Sequence, residues 1–173
     1  MEVAFGPGED CWSETWAKLL TLDPRIQKDA ISEWFLWLDY LLSLIDSCES
    51  PIEQLLSVPL MIQAHIFERR TGWYCIVNPQ HEIALGDGKI RVDFLVCAVG
   101  PDGRGVELAV ECDGHDYHER TKEQAAKDRA RDRALQAQGI PVLRFTGSEI
   151  WKNPSACAGE VRAMLEGMIS QVK

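Results

Sequence analysis

The sequence predicts an α/β protein built around a mixed central sheet, and three observations carry that expectation. Helical signals dominate up to about residue 72, and β-like runs separated by turn residues fill 73–113. Beyond that, the order becomes helix, strand, helix. With 46% hydrophobic residues in 173, the chain is long enough to bury a core without disulfides or metals, and nothing in it suggests a linker. A single domain over 1–173 is expected, with 1–48 as a helical extension on the same core and 154–172 as a closing helix.

The elements follow in order. Ser13 caps a short segment through Leu20 that ends before Asp23-Pro24. From Ile26 to Ile45, Ala30, Trp34, Leu38, Leu41, Leu42 and Ile45 recur at helical spacing. Ser50-Pro51-Ile52-Glu53 supplies an N-cap, a proline at the first helical position and a glutamate three residues after the cap. That capping box opens a helix toward Arg70, bent or interrupted near Pro59 and stopped by Thr71-Gly72. Trp73–Asn78, His81–Leu85, Lys89–Val99 and Val106–Cys112 read as strands, with hairpin turns at 86–88 and 101–105. A helix from about Glu119 to Gln138 is closed by Gly139, and Ile140–Phe145 is the last strand. Ser148 caps a short turn before the helix Pro154–Val172.

Charge narrows the function classes. The net charge of −9 excludes a uniformly basic nucleic-acid coat. Residues 1–60 hold only 3 of the 18 Lys and Arg but 11 of the 27 Asp and Glu, so the remainder is close to neutral and has room for a local basic site. No apolar run approaches a membrane span. The first residues lack the basic start and apolar stretch of a signal peptide. The six cysteines (11, 48, 75, 97, 112, 157) occur singly, without a CxxC pair. A reduced, cytoplasmic protein is expected.

Two strands carry chemistry. In Arg91–Cys97, Val92, Phe94 and Val96 are expected on one face and Asp93 on the other beside Leu95 and Cys97. In Val106–Asp113, Leu108, Val110 and Cys112 share a face, leaving Glu107, Ala109, Glu111 and Asp113 on the opposite one. Pairing through the 101–105 hairpin brings Asp93, Glu111 and Asp113 to one end of the sheet. Converging carboxylates repel and need a cation, and Mg²⁺ commonly bridges one or two carboxylates to a phosphate. The competing reading leaves Glu111 and Asp113 at a fraying strand end.

The series Ser50-Pro51-Ile52-Glu53, Gln80…Arg91-Val92-Asp93-Phe94, Glu111-Cys112-Asp113-Gly114-His115-Asp116-Tyr117-His118 resembles the PD-(D/E)xK restriction-endonuclease-like superfamily. Asp128–Leu135 and Gly139–Phe145 complete the likeness, which is nearest to the branch of the very-short-patch-repair mismatch endonucleases. It implies a catalytic core over 50–150 in αβββαβ order. It also implies Asp93 as the central metal ligand and Glu111 as the second acid, together holding Mg²⁺ or Mn²⁺. Glu53 becomes the acid that reaches the site from its helix, although the capping box already gives it a role. Asp113 and His118 match positions that the mismatch endonucleases use in catalysis.

One departure matters. The superfamily places Lys two residues after the second acid, where this chain has Asp113. His118 as general base, then Lys122 on the following helix, are the replacements, with Gln124 another polar candidate. That helix carries a small-residue stripe, Ala126, Ala130, Ala134 and Ala137, expected to lie close to the sheet. Cys112, His115 and His118 do not make a zinc site, for want of a fourth ligand. Lys127, Arg129, Arg131 and Arg133 are candidates for phosphate contacts, or else an ordinary solvated helix face. Trp12, Trp16, Trp34 and Trp37 read as helix-core or interface residues, so the acidic N-terminal helices are a candidate surface for a protein partner or self-association. The expected function is a metal-dependent DNA endonuclease, with RNA open as a substrate. The alternatives are a catalytically inactive nuclease fold serving as a nucleic-acid or protein interaction module, and an enzyme acting on a small phosphorylated substrate.

Overall fold

The structure is a computed structural model that describes residues 17–85, 88–113 and 122–172. Ser13, Glu119 and most of the first turn of the 86–88 hairpin lie outside the described residues. The chain divides at Tyr40/Leu41 into two compact units. In the first, residues 17–20 are helical and Asp23 caps helix α1 (Pro24–Asp46) by accepting the Arg25 N–H at 2.9 Å. Trp34 and Phe35 stack tilted with ring centroids 5.4 Å apart, and both remain exposed.

The second unit begins within α1, where Leu44 is buried. Helix α2 spans Pro51–Thr71, capped by Ser50, whose hydroxyl accepts the Glu53 N–H, and closed by Gly72 at φ 73°. It runs through Pro59 without a break, so the expected interruption does not occur. The strands are β1 (Tyr74–Leu85), β2 (Gly88–Val99), β3 (Gly105–Asp113) and β4 (Val142–Thr146), in spatial order β1-β2-β3-β4. The first three pair antiparallel, and β4 runs parallel to β3. Helix α3 (Lys122–Ala137) is the crossover between β3 and β4, as parallel pairing requires. Short α4 (Gly147–Lys152) is capped by Thr146 and Glu149 as a capping box, so the cap lies two positions before the expected Ser148. Helix α5 (Pro154–Gln171) closes the chain. Among the described residues no helix is long and apolar enough to cross a membrane.

Two apolar layers sandwich the sheet. On one face, Phe94, Val96, Leu108, Val110 and Phe145 pack with Leu56, Leu60 and Phe67 of α2 and Val161 and Leu165 of α5. On the other, Ile83, Val92, Leu95 and Ala109 pack with Leu135 of α3 and Ile140. Leu135 and Ile140 are also the two ends of the α3 stop. The Ile140 N–H reaches the Leu135 carbonyl and the Gly139 N–H that of Gln136, with Gly139 at φ 78°.

Side-chain alternation breaks in mid-sheet, which corrects the expectation that Val92, Phe94 and Val96 share a face. Val92 belongs to the α3 side and Phe94 to the α2 side. Strand β1 switches likewise, from Cys75 and Val77 on one side to Ile83 on the other. Both switches meet at one step of the ladder, where Gln80 faces Asp93 and the pairing is interrupted between Pro79↔Phe94 and His81↔Val92. Gln80 adopts φ 48°, a left-handed conformation rare outside glycine, which re-aims both strands. The expected two strands, Trp73–Asn78 and His81–Leu85, are therefore one strand with this irregularity inside it.

Helix α3 also turns differently from expectation. Leu135 is fully buried, whereas Ala130 and Ala137 of the small-residue stripe are exposed. Leu135→Ala is expected to lower the unfolding free energy by about 2–5 kcal/mol. Ala137→Lys is expected to change it by less than about 0.5 kcal/mol in the same urea titration. The reverse order would put the alanine stripe against the sheet.

Candidate active site

The broken ladder step frees Asp93 from ordinary strand pairing. The β2–β3 register runs as far as Phe94↔Val110, and Asp93 and Glu111 are the next residues on the two strands. There the Cys112 N–H is donated to Asp93 Oδ2 at 2.6 Å, so a side-chain carboxylate replaces the strand carbonyl. Asp93 is half-buried, and burial raises its pKa. The Cys112 N–H opposes that rise and the nearby charge of Glu53 adds to it.

Glu111 and Asp113 lie on the α3 side of β3, in line with Ala109, while Cys112 packs into the α2-side core. Glu111 is 6% exposed and held by a two-pronged ion pair. Arg131 Nη2 donates to Oε1 at 2.7 Å and Nη1 to Oε2 at 3.3 Å. Arg131 Nη2 also donates to the Arg91 carbonyl. Burial nevertheless lifts the Glu111 pKa to about 7, with Arg131 pulling it down and Asp93 pushing it up. Asp113 is 7% exposed and pairs with Arg144 Nη1 at 3.5 Å. Arg144 stands beside Glu111 in the β3–β4 register, and its Nη2 donates to Asp132 at 2.6 Å.

Glu53 comes to the same place from the first turn of α2. Its Oε1 accepts the Ser50 hydroxyl at 2.6 Å, and its Oε2 accepts the Glu49 N–H at 2.9 Å and the Gln80 amide at 2.6 Å. Capping residue and site acid are thus one side chain, and the left-handed turn at Gln80 is what delivers the amide. Next to it, Arg91 and Glu49 form a two-pronged pair at 2.8 and 2.9 Å.

Four expected site acids, Glu53, Asp93, Glu111 and Asp113, therefore converge from α2, β2 and β3. His118 lies outside the described residues. Lys122 opens α3 and Lys127 follows in the same helix, their side chains outside the described set. Arg129 and Arg133 are exposed on α3, whereas Arg131 turns inward onto Glu111. Among the described residues no group of three His, Cys, Asp or Glu side chains closes around a metal position.

Arg144 and Gln80 were not assigned roles from the sequence, and Arg131, expected as a phosphate contact, is instead paired with Glu111. Arg131 stands four residues before Leu135, which places both on the sheet-facing side of α3. Arg144 alternates with the apolar Leu143 and Phe145, a charged position inside a strand and so a legible signal. Gln80 gives no such signal, because its backbone conformation follows from the opposing strand.

The site makes stability pH-dependent with a definite sign. The folded state holds the Glu111 proton more tightly than the unfolded chain, so that stabilisation is complete below about pH 4.5 and is lost as pH rises through about 7. In EDTA, Glu111→Gln should therefore gain stability relative to the native protein by about 3 kcal/mol over that interval. Urea unfolding at both ends of the range measures it, and an unchanged difference would contradict the raised pKa.

A restriction-endonuclease family model, REase_MTES_1575, matches residues 65–165, which include Gln80, Asp93, Glu111, Asp113, Arg131 and Arg144 but not Glu53. No curated protein and no solved structure matches the chain. With more than half of its length matched, and with a mixed four-stranded sheet between helices that is compatible with that fold, the chain belongs to a restriction-endonuclease-like family.

Proposed function

We propose that the chain is a metal-dependent DNA endonuclease, nearest in kind to the very-short-patch-repair mismatch endonucleases, with Asp93 and Glu111 holding Mg²⁺ or Mn²⁺. The observation that carries this reading is the pair itself. Two carboxylates stand on adjacent strands just past Phe94↔Val110, and burial raises the pKa of both, with Asp93 adding to the rise at Glu111 and Glu53 to the rise at Asp93. Such a donor set suits a hard dication, which keeps several waters and needs only one or two protein carboxylates. The absence of a three-ligand cluster among the described residues is compatible with that requirement. When bound, the ion would polarise the scissile phosphate and lower the pKa of a coordinated water.

The chain's own groups supply the remainder. Glu53 holds the Gln80 side chain and thereby the irregular step that presents Asp93. His118 takes the proton from the attacking water, with Lys122 as its alternative. Asp113 stands where the superfamily has lysine, and Arg144 brings positive charge beside it. Arg129 and Arg133, exposed on α3, make DNA-backbone contacts together with Lys127.

A specific observation favours a second reading, an inactive nuclease fold that binds nucleic acid or protein: Arg131 already occupies both oxygens of Glu111. One experiment separates them. Under the nuclease reading, purified protein with Mg²⁺ or Mn²⁺ cleaves DNA, EDTA stops it, and Asp93→Ala or Glu111→Ala lowers the rate by roughly a thousandfold or more. Cleavage surviving both substitutions overturns the assignment. DNA binding without dication binding near millimolar concentration, measured by calorimetry, establishes the inactive fold.

A further inference from the structure

We propose that Arg131 is an exchangeable phosphate-binding residue, kept in place by Glu111 until a dication takes that carboxylate. The inference rests on the metal-nuclease reading and adds a coupling between metal and DNA.

The geometry of Arg131 suits exchange better than permanent bracing. Its side chain is 26% exposed, against 8% for that of Glu111, so the guanidinium has an outlet to solvent that the carboxylate lacks. Its two contacts with Glu111 are unequal, 2.7 and 3.3 Å. Its third partner, the Arg91 carbonyl, is a neutral backbone group next to Asp93. If the Glu111 contacts are given up, that carbonyl still tethers the guanidinium at the site.

The exchange then follows from charge balance. Glu111 cannot bind a dication through the same lone pairs that accept from both prongs of Arg131. Turning its oxygens to the ion leaves Arg131 with unfilled donors beside a new positive charge. A phosphate brought to that ion presents acceptors for the same planar fork, which suits phosphate better than an ammonium does. The two ligands therefore favour each other: the dication frees the phosphate-binding group, and the phosphate relieves repulsion between Arg131 and the ion. By linkage, DNA must tighten dication binding by the same factor.

The test uses Ca²⁺ as a probe dication, with Arg131→Gln and Arg131→Ala as two independent removals of the charge. Thermal melts establish that each variant is folded. Arg104→Ala is the control for loss of one positive charge, since Arg104 lies in the β2–β3 turn paired with Asp102. Calorimetry is expected to show Ca²⁺ binding to either Arg131 variant about 10-fold more tightly than to the native protein, with the Arg104 variant unchanged. Anisotropy of a fluorescent DNA duplex is expected to show a Ca²⁺-dependent gain in affinity for the native protein. That gain should be largely lost in both Arg131 variants, with the salt slope in Ca²⁺ lower by about one. Ca²⁺ binding that is unchanged or weaker in the Arg131 variants overturns the exchange and makes Arg131 a brace for Glu111. An undiminished Ca²⁺-dependent gain in DNA affinity overturns it equally. Native protein that binds neither Ca²⁺ nor Mg²⁺ at millimolar concentration overturns the metal-nuclease reading itself, a result distinct from the other two.

Discussion

Glu111 is 6% exposed and lies within the field of Asp93 and Asp113. Taking a carboxylate out of water beside others costs several kcal/mol unless cations and donors replace its hydration. The surrounding structure supplies that replacement. Arg131 reaches in from α3, Arg144 from β4 supports Asp113, and the Cys112 N–H caps Asp93. Each compensating group comes from a different element. The site therefore exists only when α3 and β4 have docked on the β-hairpins, and its charges in turn dictate which face of α3 turns inward.

The same constraint accounts for the irregularity in the sheet. A regular β2 would place Val92 and Phe94 on one side of the sheet, whereas they lie on opposite sides. The left-handed Gln80 and the missing ladder step shift the alternation there. Strained or irregular backbone is commonly held at functional positions because neighbouring contacts over-determine it. Here the Gln80 amide bonds to Glu53, and Glu53 is anchored by Ser50 and Glu49. The N-terminal cap of α2 and the irregular strand step thus support one another across a sequence separation of 27 residues. In that light the capping role of Glu53 and its place in the site are two consequences of the same side chain.

Much of this was legible in the residues. Alternation in β3 placed Glu111 and Asp113 together and Cys112 opposite them, because a regular strand has a period of two. Ser50-Pro51-Ile52-Glu53 located the start of α2, and Gly139 the end of α3, because caps are local chemistry. The face of Val92, the orientation of the alanine stripe and the Thr146 cap were not legible. Periodicity cannot anticipate a paired irregularity in two strands, nor can it tell an alanine face from a leucine-and-arginine face when a buried acid draws the arginine inward.

By itself, the sequence determined the start of α2, the end of α3, the hairpin connections and the identity of the acids, all of which follow from neighbours within a few residues. Tertiary structure alone decided which cations meet those acids. Arg131 and Arg144 reach Glu111 and Asp113 across separations of 20 and 31 residues, and only the docking of α3 and β4 on β3 closes those distances. The physical reason is that local propensity acts through adjacent dihedrals. The placement of a buried charge is instead settled by whichever distant opposite charge the fold can bring within a few ångströms.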